Sequence, residues 1–329
     1  MSAAVDHPRL RAPAGWRALG RWASPPGEQG RLSVLIYHRV LAEPDPLRPG
    51  DVTAAAFRWQ MRALAGAFRV LPLGEAVRRL KRGRLPARAA AVTFDDGYAD
   101  NHDRALPILR ELGLPATFFV TTGTLGGCMW NDAVVEAVRA MPGAWVDGRP
   151  AGLEWLPAGD RQQRRAALMT LLDALRRVGS ERRDEAVAGL LAAAGIPAPA
   201  GLMMDSGRIR ALHAAGMEVG AHTVTHPILA RTPRAQARAE IGASRETLEA
   251  MLGARVPLFA YPNGRPGQDY TEAHVAMVRG LGFGGAVSTA PGANVATATD
   301  PFQIRRFTPW DRTPERFVGR LLWQSLKGG

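Results

Sequence analysis

The sequence has 329 residues, 46% of them hydrophobic, enough to bury a large core as one α/β domain or as two smaller ones. Its formal net charge is +12, but all except Lys81 and Lys327 of the 42 basic residues are arginines. They are scattered and not interleaved with aromatics, which argues against a nucleic-acid-binding class and leaves only a mild attraction for anionic lipid or polymer. A single cysteine, Cys128, excludes an intrachain disulfide, and no apolar run is long enough for a signal peptide or a membrane span.

Residues 1–30, rich in Arg, Pro, Gly and Ala, read as a poorly ordered extension, or one draped over the domain that fills 31–329. Leu32 to His38 is the first core strand, ending in Tyr37-His38 before a proline-rich loop. A helix is predicted over 53–68, a short strand over 70–73 and a helix over 74–82. The run Ala91 to Phe94 is a buried strand, followed by a helical stretch over 103–112 and a strand over 116–120. This alternation marks parallel βαβ units. Residues from about 142 to 205 break the rhythm and read as a helical insertion. The rhythm resumes with a helix over 206–215, a strand from Glu218 to Ala221, and a helix over 233–252. A strand and turn over 258–264, a helix over 271–280 and a strand over 284–288 follow. A last strand, Phe302–Phe307, precedes a closing helix near 314–326.

Two stretches carry chemistry. Thr93-Phe94-Asp95-Asp96-Gly97 ends a strand in two adjacent carboxylates and a sharp turn. Alone, it reads more readily as an Asp-Asp-Gly turn capping the next helix than as a site. His222-Thr223-Val224-Thr225-His226 delivers two imidazoles before Pro227, and that proline argues against a regular helix through the pair. Two imidazoles and a carboxylate form a three-ligand set for Zn²⁺ or a similar divalent ion; the bland alternative is a pair of buried, hydrogen-bonded histidines. His7 lies in the extension, and His102, His213 and His274 in helical stretches.

These motifs, in this order and with these flanking strands, resemble the polysaccharide deacetylases of carbohydrate esterase family 4, and the resemblance runs from about Leu32 to Phe307. It implies an irregular (β/α)7 barrel with a helical insertion. It also implies a metal-dependent hydrolase that removes N-acetyl, or alternatively O-acetyl, groups from a glycan or lipid-linked sugar. Asp96, His222 and His226 would hold one divalent ion, zinc first and cobalt or nickel next. Asp95 would be the general base. The family's third motif, Arg-x-Pro-Tyr, is replaced here by Ala260-Tyr261-Pro262-Asn263. The backbone N–H of Asn263 could still face an oxyanion. Arg306 is the candidate for the missing arginine, against the reading of a plain surface charge.

No histidine follows His274, so the family's C-terminal Leu-x-His is absent. The Tyr37-His38 strand end matches the branch resembling poly-N-acetylglucosamine deacetylases, which makes His38 the candidate general acid, against a satisfied structural histidine. Trp130, Asn131, Asp132, Tyr98 and Trp310 are candidates for lining a sugar cleft. A glycan-binding protein that lost turnover, and an allantoinase-like cyclic amidohydrolase, are the alternatives. Without a visible export signal the expected compartment is the cytoplasm, with an extracytoplasmic or membrane-associated site left open.

Overall fold

The computed structural model describes residues 14–327; His7 lies outside them. Six strands run parallel in one curled sheet: β1 (Arg31–Tyr37), β2 (Ala89–Phe94), β3 (Thr117–Val120), β4 (Glu218–Ala221), β5 (Leu258–Ala260) and β6 (Gly285–Val287). Their order in space follows their order in sequence. Two short strands flank them, Arg69–Val70 parallel to β2 and Asn294–Val295 antiparallel to β1. The expected last strand over 302–307 is instead a bridging segment. Ile304 pairs with Val287 of β6, and Phe307 with Leu35 of β1, each as a single parallel bridge. The bonds Ser288 N to Ile304 O (2.8 Å) and Phe307 N to Val34 O (2.7 Å) draw the two edges of the sheet together. The result is the irregular (β/α)7 barrel, its seventh stave made by this segment.

The helices are α1 (Ala14–Ala23), α2 (Ala54–Ala67), α3 (Leu73–Lys81), α4 (Leu106–Glu111), α5 (Trp130–Ala140), α6 (Arg161–Leu175), α7 (Ser180–Ala194), α8 (Ser206–Ala214), α9 (Arg234–Leu252), α10 (Glu272–Gly280) and α11 (Pro314–Lys327). No described helix is long and apolar enough to cross a membrane.

Both faces of the sheet are covered, so its strands read as continuous apolar runs instead of alternating ones. Leu35, Val92, Phe94 and Phe118 join the cluster under the outer helices, where the Phe94 and Phe118 rings stack at 4.7 Å. Residues of the opposite parity, including Val34, Ala91, Phe119 and Ile304, pack inward with α3. The Glu218 carboxylate accepts the Gly74 N–H (2.9 Å) and the Thr117 hydroxyl (2.8 Å), which fixes α3 against the N-terminal ends of β3 and β4. Side chains two residues apart on a strand share a face. Continuing the inward set therefore leads to Thr93 within β2 and Asp95 just beyond it, to His222 beyond β4, and to Arg306 in the closing segment.

Of the two readings of the N-terminal stretch, residues 14–30 follow the one that drapes over the domain: α1 buries Ala23, packs Trp16 against the core, and donates from Arg17 Nε to Gly66 O (3.2 Å). An apolar stripe among the arginines is what seats it; residues 1–13 lie outside the described set. The stretch over 142–205 is not wholly helical. Its helices α6 and α7 build a separate apolar cluster with α5, including Val134, Val138, Leu168, Leu171 and Leu190. It also holds an antiparallel hairpin, Trp145–Asp147 with Trp155–Pro157. The Arg164 guanidinium ties these pieces together by donating to the carbonyls of Val138, Met141, Gly143 and Ala158.

Gly220, inside β4, is where the inward set has no room for a side chain. A Cβ there would lie 2.4 Å from Phe119 Cδ1 and 3.2 Å from the Leu258 carbonyl oxygen. Gly220→Ala is expected to destabilise the fold by about 1–3 kcal/mol through overpacking. Urea denaturation measures it, and an unchanged midpoint would show that Phe119 moves aside freely.

Candidate metal and catalytic site

All the sequence-derived candidates lie at or beyond the C-terminal ends of the strands or in the closing segment. Alternation along β2 would send Asp95 inward and Asp96 outward. The backbone prevents this, because Asp96 takes a left-handed φ of 73° and Gly97 follows at 88°. That turn brings Asp96 back to the side of Asp95. Left-handed backbone is costly for residues other than glycine. Thr223 (φ 64°), His226 (φ 57°) and Asn263 (φ 57°) adopt it as well, so of the six such non-glycine residues among those described, three line one cleft and Thr223 lies in the loop between its two histidines.

Asp95 is buried and held by Arg306, whose Nη1 and Nη2 donate to its two oxygens at 2.7 and 2.6 Å. Arg306 is itself buried, not a surface charge. Its Nε donates to Ser288 O (2.7 Å) and its Nη1 also reaches the Thr93 hydroxyl (3.2 Å). Burial pushes the Asp95 carboxyl upward, but the Arg306 guanidinium outweighs it and holds the group below the usual carboxylate range.

Asp96 lies against the two histidines. Its Oδ1 is 3.3 Å from His222 Nε2 and 3.5 Å from His226 Nε2. One ligand atom from each of the three residues falls within 4.8 Å of the others. His222 Nδ1 sits 2.8 Å from the Ala260 carbonyl, which only a protonated Nδ1 can satisfy, so Nε2 is the atom turned to Asp96. Asp96 Oδ1 is fully buried and accepts no hydrogen bond of proper geometry. Burial disfavours the Asp96 anion, yet the histidines beside it hold it well below the usual range. Burial would lower His222 too, but the Asp96 carboxylate pushes it up, whereas burial takes His226 down to about 4. An orphaned carboxylate oxygen between two imidazole nitrogens is a place made for positive charge. The donor set suits a divalent ion such as zinc.

The second histidine is positioned from a distance. Glu240 on α9 accepts the N–H groups of Val224 and Thr225 and the Thr225 hydroxyl, each at 2.8 Å. Thr223 Oγ1 accepts the His226 N–H at 3.1 Å. Glu240 is buried. No sequence signal links it to the histidine loop sixteen residues upstream.

His38, just past β1, is exposed and lines the same 530 Å³ cleft as Asp95, Asp96, His222, His226 and Asn263. Its peptide is fixed from the β2 loop. Asn101 Nδ2 donates to His38 O (2.7 Å), while Asp100 accepts from Arg39 Nε (2.8 Å) and Val40 N (3.0 Å). Asp100 and Asn101 were not singled out in the sequence; a polar pair just past the Asp-Gly turn was the only available hint. Of the expected sugar-lining residues, Trp130 and Asn131 face the cleft. Asp132 does not: it is buried and paired with Arg48 at 2.5 Å. Tyr98 is buried beneath Arg39, and Trp310 packs on Arg320 away from the cleft.

Glu240→Ala releases the histidine loop without touching any candidate ligand. It is expected to weaken zinc binding about 10- to 100-fold, the usual effect of losing an outer-shell partner. Titration calorimetry reads this, with circular dichroism as the control for folding. Undiminished affinity would show that the loop holds its shape unaided.

A sequence profile of the family described as polysaccharide deacetylase matches residues 82–144 and 177–284. A poly-beta-1,6-N-acetyl-D-glucosamine N-deacetylase from Staphylococcus epidermidis is 30% identical over 119 residues, covering 32% of this chain and 41% of that one. The chain spans 34% to 41% of the length of the curated relatives it matches. Among solved structures, IcaB from Ammonifex degensii aligns with a TM-score of 0.58 at 20% identity, over 92% of this chain and 98% of that one. The Streptococcus pyogenes deacetylase PplD in complex with acetate gives 0.58 at 19% identity, over 90% and 98%. At such identities the likeness is one of fold.

Proposed function

Because the chain belongs to the polysaccharide deacetylase family, we propose that it is a metal-dependent hydrolase that removes N-acetyl groups from a glycan and releases acetate. The observation that carries this reading is the buried pair of adjacent carboxylates, one bound to Arg306 and the other facing His222 and His226, at the floor of a single cleft. The likeness to N-acetylglucosamine deacetylases favours an amide over an ester.

Asp96, His222 and His226 are the residues to hold the ion. When bound, a divalent ion acidifies water and polarises an acetyl carbonyl. Arg306 keeps Asp95 ionised and fixed in orientation, so that Asp95 can take the proton of the attacking water as general base. His38, across the cleft floor, gives a proton to the departing nitrogen as the carbon–nitrogen bond breaks. The N–H of Asn263, on its left-handed turn, is the candidate donor to the oxyanion. The reading of a binder without turnover rests partly on the arginine missing at position 260. The Arg306–Asp95 pair takes that reason away.

Acetate release from N-acetylglucosamine oligomers by the zinc-loaded protein tests the reading, with small cyclic amides as the competing panel. A chelator is expected to abolish release and added zinc to restore it. Asp95→Asn is expected to cost about 10²- to 10⁴-fold in kcat with metal content intact. Full turnover in that variant, or hydrolysis confined to the cyclic amides, would overturn the assignment. For His38→Gln we expect a loss of about 10²-fold at unchanged metal content; retained turnover would remove His38 from the mechanism and leave the rest standing.

A further inference from the structure

The cleft has a second wall that the chemistry above does not use. The turn between α6 and α7 contributes Arg176, Arg177 and Gly179, α7 contributes Ser180 and Arg183, and the loop after His226 contributes Arg231. Among the described residues, the only carboxylates lining the cleft are Asp95 and Asp96, and both are engaged on its floor. Arg176 is paired with Asp173 at 3.2 Å. Among the described residues, no ion pair or hydrogen bond engages the side chains of Arg177 or Arg231.

Arg183 is less exposed. Its guanidinium lies over the Trp130 ring at 5.0 Å, and its Nε is buried with no hydrogen-bond partner. Its nearest carboxylate, on the exposed Asp184, is 3.8 Å away. That ion pair is long and its carboxylate exposed, so the partly buried guanidinium keeps donors without a hydrogen bond, and its planar fork matches phosphate or carboxylate oxygens. The start of α7 adds to the same field: Gly179 caps it without a side chain, so the first N–H groups of a fifteen-residue helix are left for an anion. An adjoining 280 Å³ hollow shares Arg176, Arg177 and Arg231 with the cleft and adds Arg265, but Asp173 and Asp269 also line it, so the uncompensated positive charge lies on the cleft side.

Resting on the deacetylase reading, we propose that the substrate is a negatively charged acetylated glycan, and that Arg177, Arg183 and Arg231 form the subsite for its phosphate or carboxylate oxyanion. A polymer made only of N-acetylhexosamine gives these arginines nothing to bind. Each turnover on such a polymer would moreover create an ammonium group beside them. An oxyanion in the repeat or at the reducing end satisfies the unpaired donors and offsets the charge of the new amine.

The test uses three probes: a neutral N-acetylglucosamine hexamer, a hexasaccharide alternating N-acetylglucosamine with glucuronate, and N-acetylglucosamine 1-phosphate. Binding is measured by calorimetry on zinc-loaded Asp95→Asn protein, and acetate release on the unaltered enzyme. The glucuronate hexasaccharide or the sugar phosphate is expected to bind at least about tenfold tighter than the neutral hexamer at low ionic strength, with the gap closing as salt is raised. Whichever anion shows the gap identifies the source of the oxyanion. The double variant Arg177→Ala/Arg231→Ala is expected to bring the anionic-to-neutral ratio of affinities close to one, and Arg183→Gln to lower it. Lysine at 177 and 231 should restore part of it. Equal affinities for charged and neutral probes, or a ratio the variants leave unchanged, would overturn the subsite. Anion-selective binding with no acetate released from any probe would instead sink the deacetylase reading and leave the subsite intact.

Discussion

Two carboxylates on adjacent residues, both buried, repel each other and lose their hydration. The structure answers with two separate sources of positive charge. Asp95 receives the paired nitrogens of Arg306, and Asp96 is turned towards two imidazoles and the ion they are suited to hold. Everything else about the barrel's upper end serves this separation. The left-handed turn at Asp96 brings both side chains to one cleft, and the closing segment carries Arg306 to Asp95 so that each carboxylate keeps its own partner.

The rim of the cleft is built from backbone conformations that side chains other than glycine adopt at a cost. Asp96, Thr223, His226 and Asn263 all carry it, and each is braced. Asp96 O accepts the Thr121 N–H, Thr223 O accepts the Thr122 N–H, Glu240 clamps the histidine loop, and Asn263 O accepts the Thr289 hydroxyl. Strain of this kind persists only where the surroundings over-determine it. Here the bracing comes from neighbouring strands and from α9, so the precision of the donor atoms is borrowed from the barrel.

Much of this was legible in the sequence. The apolar runs gave the six strands within a residue or two, because a strand buried on both faces leaves an unbroken hydrophobic signature. Asp95-Asp96 and His222/His226 could be picked out because their residue types have few other uses at strand ends. Arg306 was reachable from the gap at Ala260. The remainder is set by contacts distant in sequence. Phe302–Phe307 has a strand's composition, but its neighbours meet it at only two bridges. Glu240 has the look of a solvated helix position, and only the docking of α9 against the histidine loop buries it. Tyr98, Asp132 and Trp310 were assigned by residue type, and packing against Arg39, Arg48 and Arg320 took them out of the cleft.

The bridging segment has a consequence for the order of assembly. Arg306 follows Asp95 by 211 positions, so during synthesis the strand bearing the acid emerges long before its counterion. Domains tend to fold from the N-terminus as they are made. Until Gln303–Phe307 docks, a partly folded chain must either leave Asp95 in water, keeping the barrel open, or bury an unpaired charge at a cost of about 3–5 kcal/mol. Closure of the barrel and the burial of an ionised, paired Asp95 are thereby one event.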